Sequence, residues 1–518
     1  MDRPVMNDNK YRGVTSVQPA APRFTTLETY KNQWLNTVRE CSGLTKSLVV
    51  PPSGHNPGQP VVVPNQSHGG RLVSNLVSQL LLILFPPSIS FFKLDLRDLD
   101  IKEMAKGIQL PEGKSMHDGM RETFVSLENN SAVAFDSLGI RERVRMVLYH
   151  LVVSGTSMYL TPDEETMELI PMNDWVCVRD TNGDLIEVIY RQTYPVDSLP
   201  EGANVSQQMQ DQGFGLVYTR AFKKDNRWYV TKYCENSPEP FESLEVKPND
   251  FWVHVPYWEL AQGEDYGRGP VEESLGDLRT FESGTRIINQ SATALAKVIF
   301  TVSPNGMTKA QDVAEAENTE IISGDAQDVG VIQANKVYDM SGFIGFIDSI
   351  RRDLDVAFMM PGVIRREAER VTAEEIRRMA AEFEKSRGGT YNSLAKHLQT
   401  PLANMLLRWV LKNSSTFQGL RPSDLLPVVN TGLQGLGRSL ELENLLMFLE
   451  SLKMLPGLEQ RIKHGPLVSK MAALRGLEIN DMIKSEEELQ MEAQAAAMES
   501  MAQQVGPDMI KNQQGVPQ

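Results

Sequence analysis

Two stretches with helical spacing of apolar residues flank an acidic insert in the middle of the chain. In the first, the apolar spacing averages roughly 3.5 residues and predicts a helix over 270–300, about 45 Å long. Its apolar positions are Val271, Leu275, Leu278, Ile288, Ala292, Leu295 and Ile299. Glu282 and Thr285 interrupt the stripe. A stripe this narrow indicates packing against neighbouring helices.

The insert, residues 301–336, is the second part of this pattern. Acidic residues within it include Glu315, Glu317, Glu320, Asp325 and Asp328. Helical spacing then resumes at Ile347, Ile350, Leu354 and Phe358. The pair Pro361-Gly362 ends it, because proline lacks the backbone N–H that a helix interior needs. We therefore predict a helix, a compact insert and a second helix.

The rest of the chain predicts the fold class. A chain of 518 residues is too long for one hydrophobic core. The first ~150 residues have helical spacing. Short β-type runs follow between 156 and 234, and the pair Asn182-Gly183 is a strong hairpin signal because both residues tolerate positive φ. Helical spacing returns after 363. We expect a mainly α chain with an inserted small β-barrel or sandwich, an α+β fold.

Charge and cysteine content narrow the function. The formal net charge is −15, whereas a protein that grips DNA statically usually presents a Lys/Arg face. An acidic surface suits DNA that must slide past, but it also suits an ordinary acidic protein. Three cysteines without CxxC spacing predict neither a disulfide framework nor zinc. The most apolar stretch, 72–85, is too short and too interrupted to span a bilayer.

Motifs for chemistry fail on spacing. Gly113-Lys114-Ser115 resembles the end of a phosphate-binding loop, but five residues separate Gly107 from Gly113 where four are needed. In the segment 155–159, Tyr159 stands where a nucleophile elbow needs its second glycine. The seven histidines show no HxxxH or HxH spacing. The aspartates at 95, 98 and 100 alternate with leucines, which is more typical of a half-exposed element than of a metal site. We expect no catalytic residue, cofactor or metal.

A basic cluster follows the Pro361-Gly362 break. It consists of Arg365, Arg366, Arg370, Arg377 and Arg378. One interpretation is a solvated helix face paired with nearby glutamates. The other is a mobile element that contacts phosphate, because the planar guanidinium fork suits phosphate oxygens. Composition alone leaves both open.

Three stretches, taken in order, resemble a known family. The first is Gly69-Gly70-Arg71-Leu72 with its helix ending in Leu84-Phe85-Pro86, and the second is Val178-Arg179-Asp180 with Asn182-Gly183-Asp184. The third is the run 369–377, Glu-Arg-Val-Thr-Ala-Glu-Glu-Ile-Arg, followed by Gly388-Gly389-Thr390-Tyr391. Together they are similar to the head-to-tail connector, or portal, of autographivirus-like podoviruses. The resemblance spans about residues 24–410.

The resemblance implies a portal fold that assembles as a dodecameric ring. Its regions would be a flexible N-terminus 1–23, a wing 24–265 (helical 24–153, β 154–260), stem helix 1 at 266–300, a clip 301–336, stem helix 2 at 337–362, a tunnel loop with wing helices 363–430, a crown 431–500 and a disordered tail 501–518. Neighbouring subunits would bury the stem stripes in a closed heterologous interface. The ring would sit at the capsid portal vertex of the virion and assemble in the host cytoplasm.

The resemblance also implies partners and sites. DNA would pass through the channel. The terminase large subunit and then a tail adaptor would dock on the acidic clip residues, while capsid, scaffolding and internal core proteins would contact the rest. By sequence order Arg365, Arg366 and Arg370 fall at the narrowest part of the channel, where we hypothesise a valve, and Lys297 and Lys336 are weaker channel-lining candidates. No membrane is expected.

Two other functions compete with this interpretation. A terminase-type packaging ATPase would need a phosphate-binding loop and an acidic metal pair, and the sequence offers neither. A non-enzymatic helical scaffold or adaptor of virion assembly would bind protein only. Electron microscopy separates the two remaining possibilities, since a portal forms rings with a central hole.

Overall fold

The computed structural model describes most of the chain between residues 19 and 414. The described ranges are 19–56, 58–87, 90–94, 116–200, 205–235, 237–295, 299–317, 321–332, 337–360, 389–414, 427–429 and 445–451, with Val14, Ala203, Ala381, Phe383, Lys385, Leu467 and Met471. Outside them lie most of the predicted N-terminus, tunnel loop and crown, all of the predicted tail, and the segment 95–115.

Helices and strands are numbered here in chain order within the described ranges. The helices are α1 Ala20–Leu44, α2 His68–Leu84, α3 Met116–Ser137, α4 Ile140–Ser154, α5 Gln207–Gln212, α6 Pro270–Glu273, α7 Leu275–Leu295, α8 Ala310–Glu315, α9 Val337–Ala357 and α10 Thr400–Asn413, the last preceded by a π-helical turn Ala395–Gln399. The strands are β1 Phe92–Leu94, β2 Tyr159–Leu160, β3 Glu168–Leu169, β4 Trp175–Arg179, β5 Leu185–Pro195, β6 Phe214–Lys224, β7 Arg227–Cys234, β8 Glu242–Val246, β9 Val253–His254, β10 Ile299–Val302, β11 Val329–Ile332 and β12 Pro427–Val429.

The helices share one large core with the start of the central helical stretch. Leu72, Leu76 and Leu80 of α2 pack with Val144 and Leu148 of α4, and the same cluster extends to α7, α9 and α10. The apolar stretch 72–85 thus lies mostly within a buried helix. No helix in the described ranges is both long and apolar enough to cross a bilayer.

The β part consists of two antiparallel sheets. Strands β4 to β8 form a five-stranded meander in sequence order, and β2 lies between β3 and β9 in a second sheet. Trp175 and Trp228 of the meander share a core with Leu160 and Val253 of the second sheet. Within the described residues β4 and β8 lie at opposite ends of the meander, so of the two predicted alternatives the arrangement is a small sandwich rather than a closed barrel.

The hairpin predicted at Asn182-Gly183 forms, and a second hairpin joins β6 to β7. Strands β6 and β7 turn at Asp225-Asn226, which have φ of 49° and 59°, as a two-residue I′ turn requires. In the hairpin that joins β4 and β5 only Gly183 takes positive φ, at 85°. There the Asp180 carboxylate accepts bonds from the backbone N–H groups of Asn182 (2.9 Å) and Asp184 (2.8 Å).

Buried basic side chains of α1 bind groups in and beside the meander. The sequence pattern does not predict these contacts. The Glu187 carboxylate on β5 accepts from Arg23 of α1 at 2.7 Å and from Arg220 of β6 at 2.8 Å. All three side chains are buried. Lys31 donates to the carbonyls of Met172 (2.5 Å) and Trp175 (2.6 Å). Its ammonium lies 4.1 Å from the Trp175 ring centroid.

In the Val178-Arg179-Asp180 stretch, Arg179 links the hairpin of β4 and β5 to other parts of the backbone. Its buried guanidinium donates to the backbone carbonyls of Gly183 (3.0 Å), Val255 (2.7 Å) and Asp265 (3.0 Å). Because five donors in a fixed fork can hold several carbonyls at once, one side chain joins the hairpin to the segment that leads into the central helices.

Glycines allow close backbone packing at the point where the central helices begin. A Cβ at Gly269, just before α6, would lie 2.7 Å from the Val152 carbonyl oxygen at the end of α4. Gly155 follows α4 with φ of 77° and packs on the backbone of Arg268. Ser157, which lies in the segment 155–159, is fully buried. Close backbone contact, rather than chemistry, accounts for these glycines.

Candidate channel and docking elements

Helices α7 and α9, called here the helix pair, pack side by side. Leu278 and Phe281 of α7 lie in one buried cluster with Ile350 and Leu354 of α9. Gly284 permits a close approach, since a Cβ there would clash with the side chain of Ile347. This core covers only the root of the pair. Farther along, several side chains are exposed: Ile287, Ala292, Ile344 and Phe346.

The first helix is shorter than predicted. Ser274 separates α6 from α7, and α7 ends at Leu295 rather than at residue 300. The last member of the predicted stripe, Ile299, opens strand β10, which pairs with β11 from Ile299↔Ile332 to Val302↔Val329. Residues 299–302, Ile-Phe-Thr-Val, are β-branched or aromatic and suit a strand. The helical spacing of apolar residues thus continues by chance from α7 into strand β10.

Glu282 has a structural task. It interrupts the apolar stripe because its carboxylate accepts from the backbone N–H groups of Asn65 (2.9 Å) and Gln66 (3.2 Å). The neighbouring Gln66 side chain in turn accepts from the Gly69 N–H at 2.7 Å and donates to the Leu44 carbonyl at 2.7 Å. A Cβ at Gly69 would lie 2.5 Å from that carbonyl oxygen. The Gly69-Gly70 stretch is therefore where α1, α2 and the helix pair meet.

The end of α9 is held by α2. His68 lies 2.9 Å from the Asp355 carboxylate, and the Gln79 amide donates to the Met359 carbonyl at 3.0 Å. Met359 has φ of 51°, and the Met360 N–H bonds back to Asp355 at 2.8 Å. A left-handed residue with this bond closes a helix, a task that usually falls to glycine. The sequence signalled the break at Pro361-Gly362, but not Met359 or Gln79.

The acidic residues of the insert divide into two groups. Asp325 and Asp328 form its internal frame, in which the Asp325 carboxylate accepts from the Gln327 N–H at 2.9 Å and Asp328 accepts from the Thr308 N–H at 3.2 Å. Glu315 and Glu317 lie on the surface. Glu315 accepts from the Gln311 amide at 3.0 Å. The docking role of all four remains a prediction.

The remaining predicted site residues lie outside the described part of the chain. These are Arg365, Arg366, Arg370, Lys297, Lys336 and Glu320. Their assignments therefore stay predictions.

The insert has almost no apolar interior. Among its side chains that the structure describes, Thr308 is buried, but no apolar side chain is. Its exposed apolar residues are Met307, Ile321, Ile322 and Val331, and the exposed Phe300 directly precedes it. Phe300 and Val331 face each other across the ladder of β10 and β11. A pair of neighbouring exposed apolar side chains such as this one is a candidate interaction site.

Several buried or half-buried ionisable groups in the described residues have shifted pKa values, because the surrounding protein excludes water. Burial lowers the pKa of His150 to about 4 and that of His254 to about 3, so both are neutral near pH 7. Burial raises the pKa of the Cys41 and Cys177 thiols to about 12. No cluster of metal-ligating side chains occurs among the residues that the structure describes. These histidines and cysteines therefore contribute to packing inside the protein.

Comparison with known proteins gives consistent matches. The family model described as bacteriophage head to tail connecting protein matches residues 17–480. The portal protein of Enterobacteria phage SP6 is 28% identical over 452 residues, covering 85% of this chain and 84% of the relative. That of Enterobacteria phage T3 is 28% identical over 460 residues, covering 85% and 83%. Among solved structures, the virion of a native gene transfer agent particle matches with 12% identity and a TM-score of 0.34, covering 73% of this chain and 98% of that one.

Proposed function

This chain belongs to the bacteriophage head-to-tail connecting proteins, and we propose that copies of it form a ring whose central channel carries the genome into and out of the phage head. The family is structural and the curated relatives are portal proteins. Family membership thus confirms the expected connector role and the expected lack of catalysis. The ring, its channel and its partners are the proposal.

The partly covered helix pair carries the ring proposal. Its root is buried against the helical core, while Ile287, Ile344 and Phe346 farther along are exposed. Exposed apolar side chains of this size are costly in water, at about 25 cal/mol per Å². Neighbouring copies would cover them if the helix pairs stand side by side around a closed ring. We propose a dodecamer, with the helix pair as stem and the insert as clip.

Electrostatics supports free passage of DNA. Each copy contributes a formal charge of −15, so a ring would repel the DNA backbone over most of its surface. Against this background the arginines that follow α9 would act as a valve. The left-handed residue Met359, whose carbonyl accepts from Gln79 of α2, fixes the end of α9 a few residues before these arginines in sequence.

The valve proposal has a direct test. Arg370→Ala should change how long packaged DNA is retained while leaving rings intact, because a ring repeats each phosphate contact in every subunit. Arg365→Ala and Arg366→Ala are parallel variants. Unchanged retention in all three single variants contradicts the proposal.

Docking and location complete the proposal. The insert would meet the terminase large subunit during packaging and the tail adaptor afterwards, and the ring would lie at the neck of the virion, with capsid, scaffolding and internal core proteins around it. An acidic insert favours partners with basic contact faces. A partner with an acidic contact face contradicts this.

Electron microscopy of the purified protein tests the ring. The proposal predicts closed rings with a central hole wide enough for duplex DNA. Monomers, or oligomers without a hole, would favour the scaffold or adaptor alternative instead.

A further inference from the structure

The far end of the insert is held together by polar contacts. This end, residues 303–317 and 321–328 and called here the head, lies beyond the last ladder pair, Val302↔Val329. Thr308 and Asp325 bond to each other twice: the Asp325 N–H donates to the Thr308 hydroxyl at 2.9 Å, and that hydroxyl donates to the Asp325 carbonyl at 3.2 Å. Gly306 and Gly324 make room for the Asp328 carboxylate and the Thr308 side chain. The two arms of the head are thereby fixed beside each other.

Two large apolar side chains stand on this frame in water. Met307 is 88% exposed and Ile321 is 97% exposed. Met307 directly precedes Thr308, and Ile321 lies three residues before Gly324, which packs on Thr308. Both therefore occupy the two joined arms, away from the helix pair. Phe300 and Val331, in contrast, lie on the ladder close to the helix pair, where neighbouring subunits would cover them.

The charges around these side chains indicate what covers them. Among described residues the head carries Lys309 against five carboxylates: Asp312, Glu315, Glu317, Asp325 and Asp328. A second copy of the same head would bring like charges together, which disfavours contact between heads. A partner with Lys or Arg around apolar pockets fits both the charge and the exposed side chains.

We propose that Met307 and Ile321 are the anchors by which the head binds the tail-side protein of the connector, and that they enter apolar pockets rimmed by basic residues. The proposal rests on the proposed connector function and moves the centre of docking from the acidic residues to the two apolar side chains. Interface energy concentrates in a few buried anchors, while peripheral charges mainly affect association rate and specificity. Glu315 and Glu317 would therefore steer rather than hold the partner.

The test measures binding of the purified tail-side protein of the same virus to purified rings by sedimentation. The double variant Met307→Ser and Ile321→Ser should still form rings, yet weaken binding on the order of 100-fold. Glu315→Gln with Glu317→Gln should weaken it less, with an effect that fades at high salt. The matched control is Val62→Ser, an apolar residue 84% exposed and remote from the head in sequence, which should bind as wild type.

Three results overturn the proposal. If the Met307/Ile321 double variant binds the tail-side protein with wild-type affinity, these two side chains are not the anchors. Loss of rings in that variant alone assigns the two side chains to the subunit interface. If the double variant still binds the tail-side protein but no longer supports genome packaging, the head is the docking site of the packaging motor. Failure of the wild-type chain to form rings contradicts the proposed function itself and is seen before any variant is compared.

Discussion

The meander of β4 to β8 and the insert both rest on antiparallel strands, but they are stabilised in different ways. The meander packs on both faces, against α1 on one side and the second sheet on the other. It even buries an ion triad at Glu187. In the insert, Thr308 is buried among the described side chains and the large apolar ones face water. The chain alone thus buries both faces of the meander, whereas the insert exposes apolar side chains that neighbouring copies or partners would cover in the proposed ring.

The largest effect should come from the buried triad. Glu187→Gln removes the carboxylate that faces two buried guanidinium groups, and breaking a buried pair costs about 3–5 kcal/mol of unfolding free energy. Urea denaturation followed by circular dichroism measures it. The matched control is Glu245→Gln, which breaks the exposed pair with Arg227 and should cost less than about 1 kcal/mol. Equal losses in the two variants would mean that the meander does not depend on its interior charges.

The helix pair should be sensitive to added volume where α7 touches α9 and tolerant on the open face of α7. Gly284→Ala places a methyl group against Ile347 and should destabilise by about 1–3 kcal/mol through overpacking. Gly276→Ala, on the same helix with open space around it, should stabilise by about 0.5–1 kcal/mol, because alanine favours helix. The thermal unfolding midpoints of the two variants, each compared with the wild type, measure these changes in stability. If Gly284→Ala also stabilises, the two helices do not approach closely.

A smaller effect, dependent on pH, should come from Lys31. Burial lowers the pKa of Lys31 to about 7 from an ordinary value of 10.5. Between these values the unfolded chain binds a proton that the folded chain lacks, so this group makes stability rise with pH, by up to about 1.4 kcal/mol per pH unit. The gain should run from about pH 7 upward and level off near the unfolded value.

The comparison variant for this test is Lys31→Met, which keeps the apolar stem but cannot titrate. Urea denaturation at pH 7.5 and pH 9.0 should show the wild type gaining stability relative to the variant. Parallel pH profiles would contradict the account, because Lys31 would then titrate alike in the folded and unfolded chains.

Sequence spacing predicted the helix, insert and second helix because buried faces repeat locally. It misplaced the end of α7, since Ile299 continues the stripe by position although it lies in a strand. The triad escaped prediction for a different reason. Arg23, Glu187 and Arg220 look like surface residues in sequence, and 164 positions separate Arg23 from Glu187, so only the folded packing of α1 on the meander brings them together.

The candidate site was predictable only in outline. Carboxylates marked the insert, but sequence cannot show that Asp325 and Asp328 bond within it while Met307 and Ile321 project from it. Nor could it indicate Gln79, whose bond to Met359 joins residues 280 positions apart. Glu282 appeared as an interruption because its acceptors, Asn65 and Gln66, lie far away in sequence.

Hydrogen exchange, compared between the dissociated chain and the assembled ring, shows whether the meander is stable alone while the insert depends on its neighbours. Amides of β4 to β8 should be equally protected in both states, whereas those of β10, β11 and the exposed flank of the helix pair should gain protection only in the ring. Strong and equal protection of β10 and β11 in the dissociated chain would contradict this, because the insert would then be stable without its neighbours.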